Sequence, residues 1–411
     1  MFTQHDFIPG HESSEEANLL SHRAVYRPAV DSNSLLVDYL ENGIYYNRNK
    51  EGFLFNGNKP LDILKIGLPF ESNKYRSDLV CTQQARVSLR ARAPCVSIEW
   101  YPGGRRLIVG TVGGELTLWN GTYFSFEDLK SVPSGQGAVL ALNFSKQDDF
   151  IACGDGSGNI VLLTPALAPI ASFRQFLGHV VRDVTISPTG NKVVAAAENV
   201  HPIIIDVGSQ KIENSLVSRG YDITCSQWHP IQALIATGSQ TYQLHLWDPR
   251  TANAIGTIFG HKHSVVRIKW NSTGQMLASS GKDGALKIWD IRSLNKPITI
   301  YKTRCDAVSI SWHPEIESFM TVGFFDGDIC YYNTNVCCSQ PLGVIPNAHQ
   351  GAVWGVAWHP LGHLVASSGQ DSRLKIWSRS LCSNPGTLNS NEILPQVILP
   401  RNNSGSIIRN D

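Results

Sequence analysis

Short apolar runs separated by turn residues cover the chain from about residue 95 to residue 378. Between Gly260 and Asp290 the runs are Val265–Trp270, Gln275–Ser279 and Ala285–Trp289, divided first by Asn-Ser-Thr-Gly and then by Gly-Lys-Asp-Gly. Runs of this length, broken by Gly, Asn and Asp, predict short antiparallel strands joined by tight turns. Trp270 and Trp289 stand 19 residues apart, and the same spacing recurs in Trp100–Trp119, Trp228–Trp247, Trp312–Tyr331 and Trp358–Trp377. Phe144–Leu163 and Ile186–Ile205 keep it with other apolar residues. The first members follow one another at steps of 44, 42, 42, 42, 42 and 46 residues. Of the ten tryptophans, Trp354 alone lies off this lattice.

A Gly-His that opens such a unit and a Trp-Asp that closes it mark one WD-repeat blade. A lone blade has two open edges and too little core, so it needs neighbours. Seven in-register units predict an all-β, seven-bladed propeller of roughly 300 residues. Leu79–Ser88 reads as a further strand ahead of the first unit. It is expected beside the seventh blade, where an outer strand from the other end of the chain closes the ring. Repeats five and seven keep His261, Ser279, Asp283, Trp289 and His349, Ser367, Asp371, Trp377. Their recurrence once per blade predicts structural hydrogen-bond networks rather than catalysis. Repeats two, three and four depart from the pattern and are expected to be less rigidly bonded.

Outside the repeats the expectations are coarser. Residues 1–21, with Glu12, Glu15 and Glu16, read as a disordered acidic end. Residues 22–78 read as an extended basic arm, a short helix within Asn33–Tyr46 that packs on a blade or a partner, and a connecting loop. The propeller is placed at 79–379 and a flexible tail at 380–411. A net charge of +1 provides no global attraction for nucleic acid or membrane, so such binding needs a local patch. The nine cysteines contain no Cys-x-x-Cys pair, which argues against a zinc site. Neither a signal peptide nor an 18-residue apolar run is present, and a reducing intracellular compartment fits. No phosphate loop, nucleophile elbow or His-Glu-x-x-His is found, so no catalytic residue, metal or cofactor is expected. Gly110–Gly114 and Gly154–Gly158 read as hairpin turns.

Three segments break the repeat and carry cations or aromatics: Arg23…Arg27, Arg86…Arg90-Ala-Arg92, and the loop Thr122–Leu129 after Trp119. Guanidinium groups beside exposed aromatics suit single-stranded RNA, through phosphate contacts and base stacking. The bland reading is solvated arginines and core phenylalanines.

The run Val96–Glu127 adds Pro-x-Gly-Arg-Arg-Leu and Leu-Trp-Asn-Gly-x-x-Phe-x-Phe-Glu. Together with Ala24-Val25…Arg27, Tyr39-Leu-Glu-Asn42 and Trp358-His-Pro-Leu-Gly-His363, it resembles the WD-repeat subunit of the eukaryotic cleavage and polyadenylation specificity factor. The resemblance extends from about residue 22 to residue 379. It implies a non-enzymatic nuclear subunit that helps bind an AAUAAA-type polyadenylation signal in pre-mRNA. Its partners would be a zinc-finger subunit and a large multi-propeller scaffold subunit, in a hetero-oligomer without membrane contact. It places RNA contacts at Arg23, Arg27 and Arg90, stacking and apolar contacts at Phe126 and Leu129, and a further basic position at Arg92. It also implies that the helix Asn33–Tyr46 docks on the scaffold. His22 and Pro28 stand where the family has cations, and Glu15–Ser21 is acidic and apolar where the family is basic. The competing reading is a protein-interaction scaffold or substrate receptor without RNA contact. It requires Phe126 to be buried, whereas the RNA reading requires it exposed.

Overall fold

The computed structural model describes residues 80–378, apart from 88–90, 133–136, 148, 218–222, 294–295 and 336–339. The expectations for the acidic end, the arm, the helix Asn33–Tyr46 and the tail lie outside these residues. The described residues form seven four-stranded antiparallel sheets. The lattice coincides with the blades. The first members of the seven pairs each end an inner strand: Cys95–Trp100, Val139–Phe144, Val181–Ile186, Ile223–Trp228, Val265–Trp270, Ala307–Trp312 and Val353–Trp358. The second members fall in the third strands. The spacing of 19 is therefore the length of two strands and two turns.

The ring closes as the sequence predicts. Gln83–Val87, somewhat shorter than the expected run, pairs with Leu374–Ser378 as the outer strand of blade seven. Closure removes a free edge, and the Tyr331 hydroxyl adds a 2.8 Å hydrogen bond to the Cys81 carbonyl from blade six. The core lies between blades rather than within them. Seven apolar clusters fill the seven junctions; the one between blades seven and one joins Leu364, Ala366, Leu374 and Ile376 to Trp100, Leu107 and Phe124. Each sheet is apolar on both faces near the axis because each face packs a neighbouring sheet.

The networks in blades five and seven form as expected. His261 Nδ1 meets Asp283 at 3.1 Å, while Ser279 Oγ lies 2.7 Å from His261 Nε2 and accepts the Trp289 indole N–H at 2.8 Å. Blade seven repeats this with His349, Asp371, Ser367 and Trp377. Burial alone would raise the Asp371 carboxyl. The hydrogen bond and charge of His349, together with backbone N–H groups of Gln350 and Arg373, outweigh it and hold the group below its usual value. Blade four keeps only half of the device, with Trp247 donating to Thr237 Oγ1 at 2.8 Å.

A second device links blades. In the Trp-His-Pro sequences at residues 228, 312 and 358, the histidine follows the inner strand. His229 Nε2 meets the Gly274 carbonyl of the next blade at 3.0 Å, and His313 Nε2 meets Gly362 at 3.0 Å. Their Nδ1 atoms accept backbone N–H groups, so the ring proton belongs on Nε2. His359 keeps the Nδ1 half of this pattern at the closure, accepting from Leu361, and its ring packs at a steep angle to Trp100 of blade one at 4.8 Å.

Candidate RNA interface

Phe126 and Leu129 do not lie in a loop. They belong to the outer strand of blade one, Phe126–Ser131, which pairs with Glu115–Asn120. Three residues apart on a regular strand, they would point to opposite faces. A β-bulge prevents this. Phe126 pairs with Trp119 and Asp128 with Leu118, so Glu127 is the extra residue. Leu129 then pairs with Thr117, and both apolar side chains share the face of Thr117 and Trp119. That face packs towards blade seven, because Trp119 and its partner Leu107 adjoin the cluster of that junction.

Phe126 is 51% exposed and Leu129 41%. The Phe126 ring meets Trp119 edge-on at 5.5 Å and 82°. Two residues earlier, Phe124 is only 1% exposed and fills the core of the same junction. The two phenylalanines of Phe-x-Phe thus have opposite fates.

The motif residues account for the turn that separates them. The Asn120 side-chain oxygen accepts from the N–H groups of Thr122 and Tyr123 at 2.8 and 2.9 Å. Its amide donates to Glu127 at 2.8 Å, and Arg106 meets the other oxygen of Glu127 at 3.0 Å. Asn120 and Arg106 therefore hold the bulged Glu127 from two sides and neutralise its charge. Gly121 passes so close to the preceding hairpin that an added Cβ would lie 2.3 Å from the Gly104 carbonyl oxygen. Phe124 adopts φ 56°, left-handed backbone that a bulky residue takes only where packing compensates. Gly121→Ala is expected to lower the unfolding free energy by about 1–3 kcal/mol in a urea titration, because backbone rather than a flexible side chain must move. An unchanged urea midpoint would refute this close approach.

The opposite wall comes from blade seven. Arg86 pairs with Ile376, whose side chain belongs to the same junction cluster, so Arg86 shares the face turned to blade one. It is exposed, as is Arg92 on the connection into blade one; the residue before each, Ala85 and Ala91, packs on that cluster. Lys130, by contrast, leans to blade two, where its ammonium donates to the Ala166 carbonyl at 2.8 Å. Asp128, paired with Leu118, also faces blade two. The outer cleft between blades seven and one is thus walled by exposed Phe126 and Leu129 on one side and Arg86 on the other. Arg23, Arg27 and Arg90 lie outside the described residues. Arg86 was within reach of sequence reasoning as part of the Arg86…Arg92 run, but its orientation depends on strand register.

The WD domain, G-beta repeat family profile matches residues 252–290 and 339–378, spanning most of blades five and seven. Among curated proteins, the chain is 33% identical over 382 residues to polyadenylation factor subunit 2 of Neurospora crassa, which covers 86% of this chain and 57% of that protein. The protein of the same name from Gibberella zeae is 33% identical over 316 residues, 71% of this chain and 51% of the relative. That of Saccharomyces cerevisiae is 30% identical over 285 residues, 69% and 61% respectively. The chain spans little more than half the length of these relatives. With this identity carried across most of the chain on a seven-bladed WD-repeat propeller, it is a divergent homologue of the proteins named polyadenylation factor subunit 2.

Proposed function

We propose that this chain is a non-enzymatic subunit of the nuclear machinery that processes mRNA 3′ ends, and that it contacts single-stranded RNA at the boundary of blades seven and one. The shared name of its relatives supports the process. The observation that carries the RNA reading is the joint exposure of Phe126 and Leu129 on one face, opposite Arg86. Phe126, half exposed and packed only at a near-right angle against Trp119, offers ring surface to a base, and base stacking contributes about 1–3 kcal/mol. Arg86 and Arg92, with Arg23, Arg27 and Arg90, supply guanidinium groups for phosphate and for base edges. An AAUAAA-type hexamer is the RNA, read together with a zinc-finger subunit and a large propeller scaffold.

The test is a titration of the complex with short RNAs that carry AAUAAA or a scrambled hexamer. Phe126→Ala and Arg27→Ala are each expected to weaken the AAUAAA complex by about 1–3 kcal/mol. Arg27→Ala should also reduce the salt slope by about one unit if Arg27 pairs with a phosphate. Equal affinity of wild type and both variants would remove these residues from the site and favour a propeller that contacts proteins alone.

A further inference from the structure

The outer strand of each blade is the last strand of its sheet, an edge open to pairing with another chain. Six of the seven edges are blunted. The outer strands of blades one, two, three, four and seven each carry a bulge against their neighbour, and that of blade six, Gly343–Ile345, is only three residues long. Blade five is the exception among the described residues. Its outer strand, Thr299–Lys302, pairs with Ala285–Asp290 in unbroken register. The run Ile298-Thr-Ile-Tyr301 is β-branched or aromatic throughout, which suits a flat, pleated edge.

The two faces of this strand differ. Tyr301 is buried and donates its hydroxyl to the Asn333 carbonyl of blade six at 3.1 Å. The alternate positions Lys296, Ile298, Ile300 and Lys302 are all exposed. Ile300 pairs with Lys287 and Lys302 with Ala285, so both share the face of Trp289, which is turned to blade four. Blade four does not cover them: its outer strand turns Gly256 to this junction, where an added Cβ would meet nothing within 4 Å. No ion pair among the described residues uses Lys296 or Lys302. The Thr303 N–H donates to the Gly284 carbonyl at 2.9 Å. Bonded and unbonded residues alternate along an antiparallel ladder, so Tyr301 also bonds inward while Ile300 and Lys302 turn their N–H and C=O groups away from the sheet.

We infer that the outer edge of blade five docks an extended acidic and apolar segment of a partner protein, which adds a fifth strand to this sheet. Main-chain hydrogen bonds to Ile300 and Lys302 hold the segment, and the alternate side chains select it. Opposite Lys-x-Ile-x-Ile-x-Lys the matching order is acid, apolar, apolar, acid at every second residue. That order reads the same from either end, so it fits a parallel or an antiparallel segment. A second copy of this strand is disfavoured because antiparallel pairing would set lysine against lysine. RNA is disfavoured because the exposed side chains of this face include no aromatic ring on which a base could stack. The edge belongs to blade five and is independent of the outer cleft between blades seven and one.

The probe is a labelled synthetic peptide, Glu-Thr-Val-Thr-Val-Thr-Glu with blocked ends, titrated with the full chain and followed by fluorescence anisotropy. Wild type is expected to bind it and to ignore the same peptide N-methylated on alternate residues, which keeps the side chains but cannot pair as a strand. Lys302→Glu and Ile300→Pro should each weaken binding at least about tenfold. The proline removes an N–H that the sheet does not use. Thermal midpoints equal to wild type confirm that the variants fold, and Lys302→Glu carries the test if the proline variant does not. A peptide with Lys in place of both Glu residues should bind Lys302→Glu better than wild type. No binding by wild type, equal binding of the N-methylated peptide, or binding insensitive to Lys302→Glu would overturn the assignment. So would displacement of the peptide by a short RNA, or dimerisation of the wild-type chain that Ile300→Pro abolishes.

Discussion

Phe124→Ala is expected to lower the unfolding free energy by about 3–5 kcal/mol, whereas Phe126→Ala, two residues away, should change it by less than about 1 kcal/mol. Phe124 is almost wholly buried among Trp100, Leu107 and Leu364 at the closing junction of the ring. Its removal opens a cavity between blades seven and one, where neighbours fixed by two sheets collapse poorly. Alanine retains a Cβ at φ 56°, so the backbone strain stays and no relief offsets the loss. Phe126 has half of its surface in water and one edge contact with Trp119. The RNA assay should show the reverse order for variants that fold: Phe126→Ala impaired, and Phe124→Ala, studied well below its lowered melting temperature, affected only through stability. Urea unfolding and RNA titration of the same two proteins check both halves. A large loss of stability in Phe126→Ala would show that its role is packing.

Acidification from pH 6.5 to pH 4 is expected to remove about 3 kcal/mol of stability through His359 alone. Burial between blades seven and one pushes its pKa down from 6.5 to about 3, only partly countered by the Gly104 carbonyl. The folded-state pKa lies below the unfolded one. Between pH 6.5 and about 3, the unfolded chain therefore binds a proton that the folded chain refuses. The stability is complete above pH 6.5 and lost as pH falls. The structural reason is that Nδ1 accepts the Leu361 N–H, so protonation would set two donors against each other. His229 is also shifted down, chiefly by burial, and acts in the same direction. The Asp283 and Asp371 carboxylates, held below their ordinary value in the fold, add a further loss as pH falls from the ordinary carboxylate range towards their folded-state values. Urea unfolding at several pH values measures the slope, and His359→Gln should remove about one proton from it between pH 6.5 and 4. An unchanged slope in that variant would exclude His359 as the acid-sensitive clasp.

Much of the architecture is legible in the linear chain. An apolar residue must end each inner strand and another must sit across from it on the third strand, so a spacing of 19 survives even where Phe144–Leu163 and Ile186–Ile205 replace tryptophan. The closing strand is legible because a strand pattern ahead of the first blade has no edge to join except that of the seventh. The His–Asp–Ser–Trp networks are legible because they repeat at constant offsets.

The candidate site is less legible. The Asn-Gly-x-x-Phe-x-Phe-Glu motif marks the place, yet alternation alone would put Phe124 and Phe126 on one face and Phe126 and Leu129 on opposite faces. The bulge at Glu127 reverses the second result, and the left-handed turn at Phe124 sends its ring into the core of the junction while Phe126 stays exposed on the same side. Each depends on partners distant in sequence, Gly104 and Arg106, that the local pattern does not name.

By itself the sequence determined the fold class, the number of blades and their register, because each rests on residue types recurring at fixed intervals; the resemblance rests instead on motifs that break the repeat. Tertiary structure decided which side chains the molecule presents. A bulge of one residue shifts a strand's phase, and with it the face each later side chain occupies. One such shift brings Phe126 and Leu129 together towards Arg86 of a strand from the other side of the ring closure.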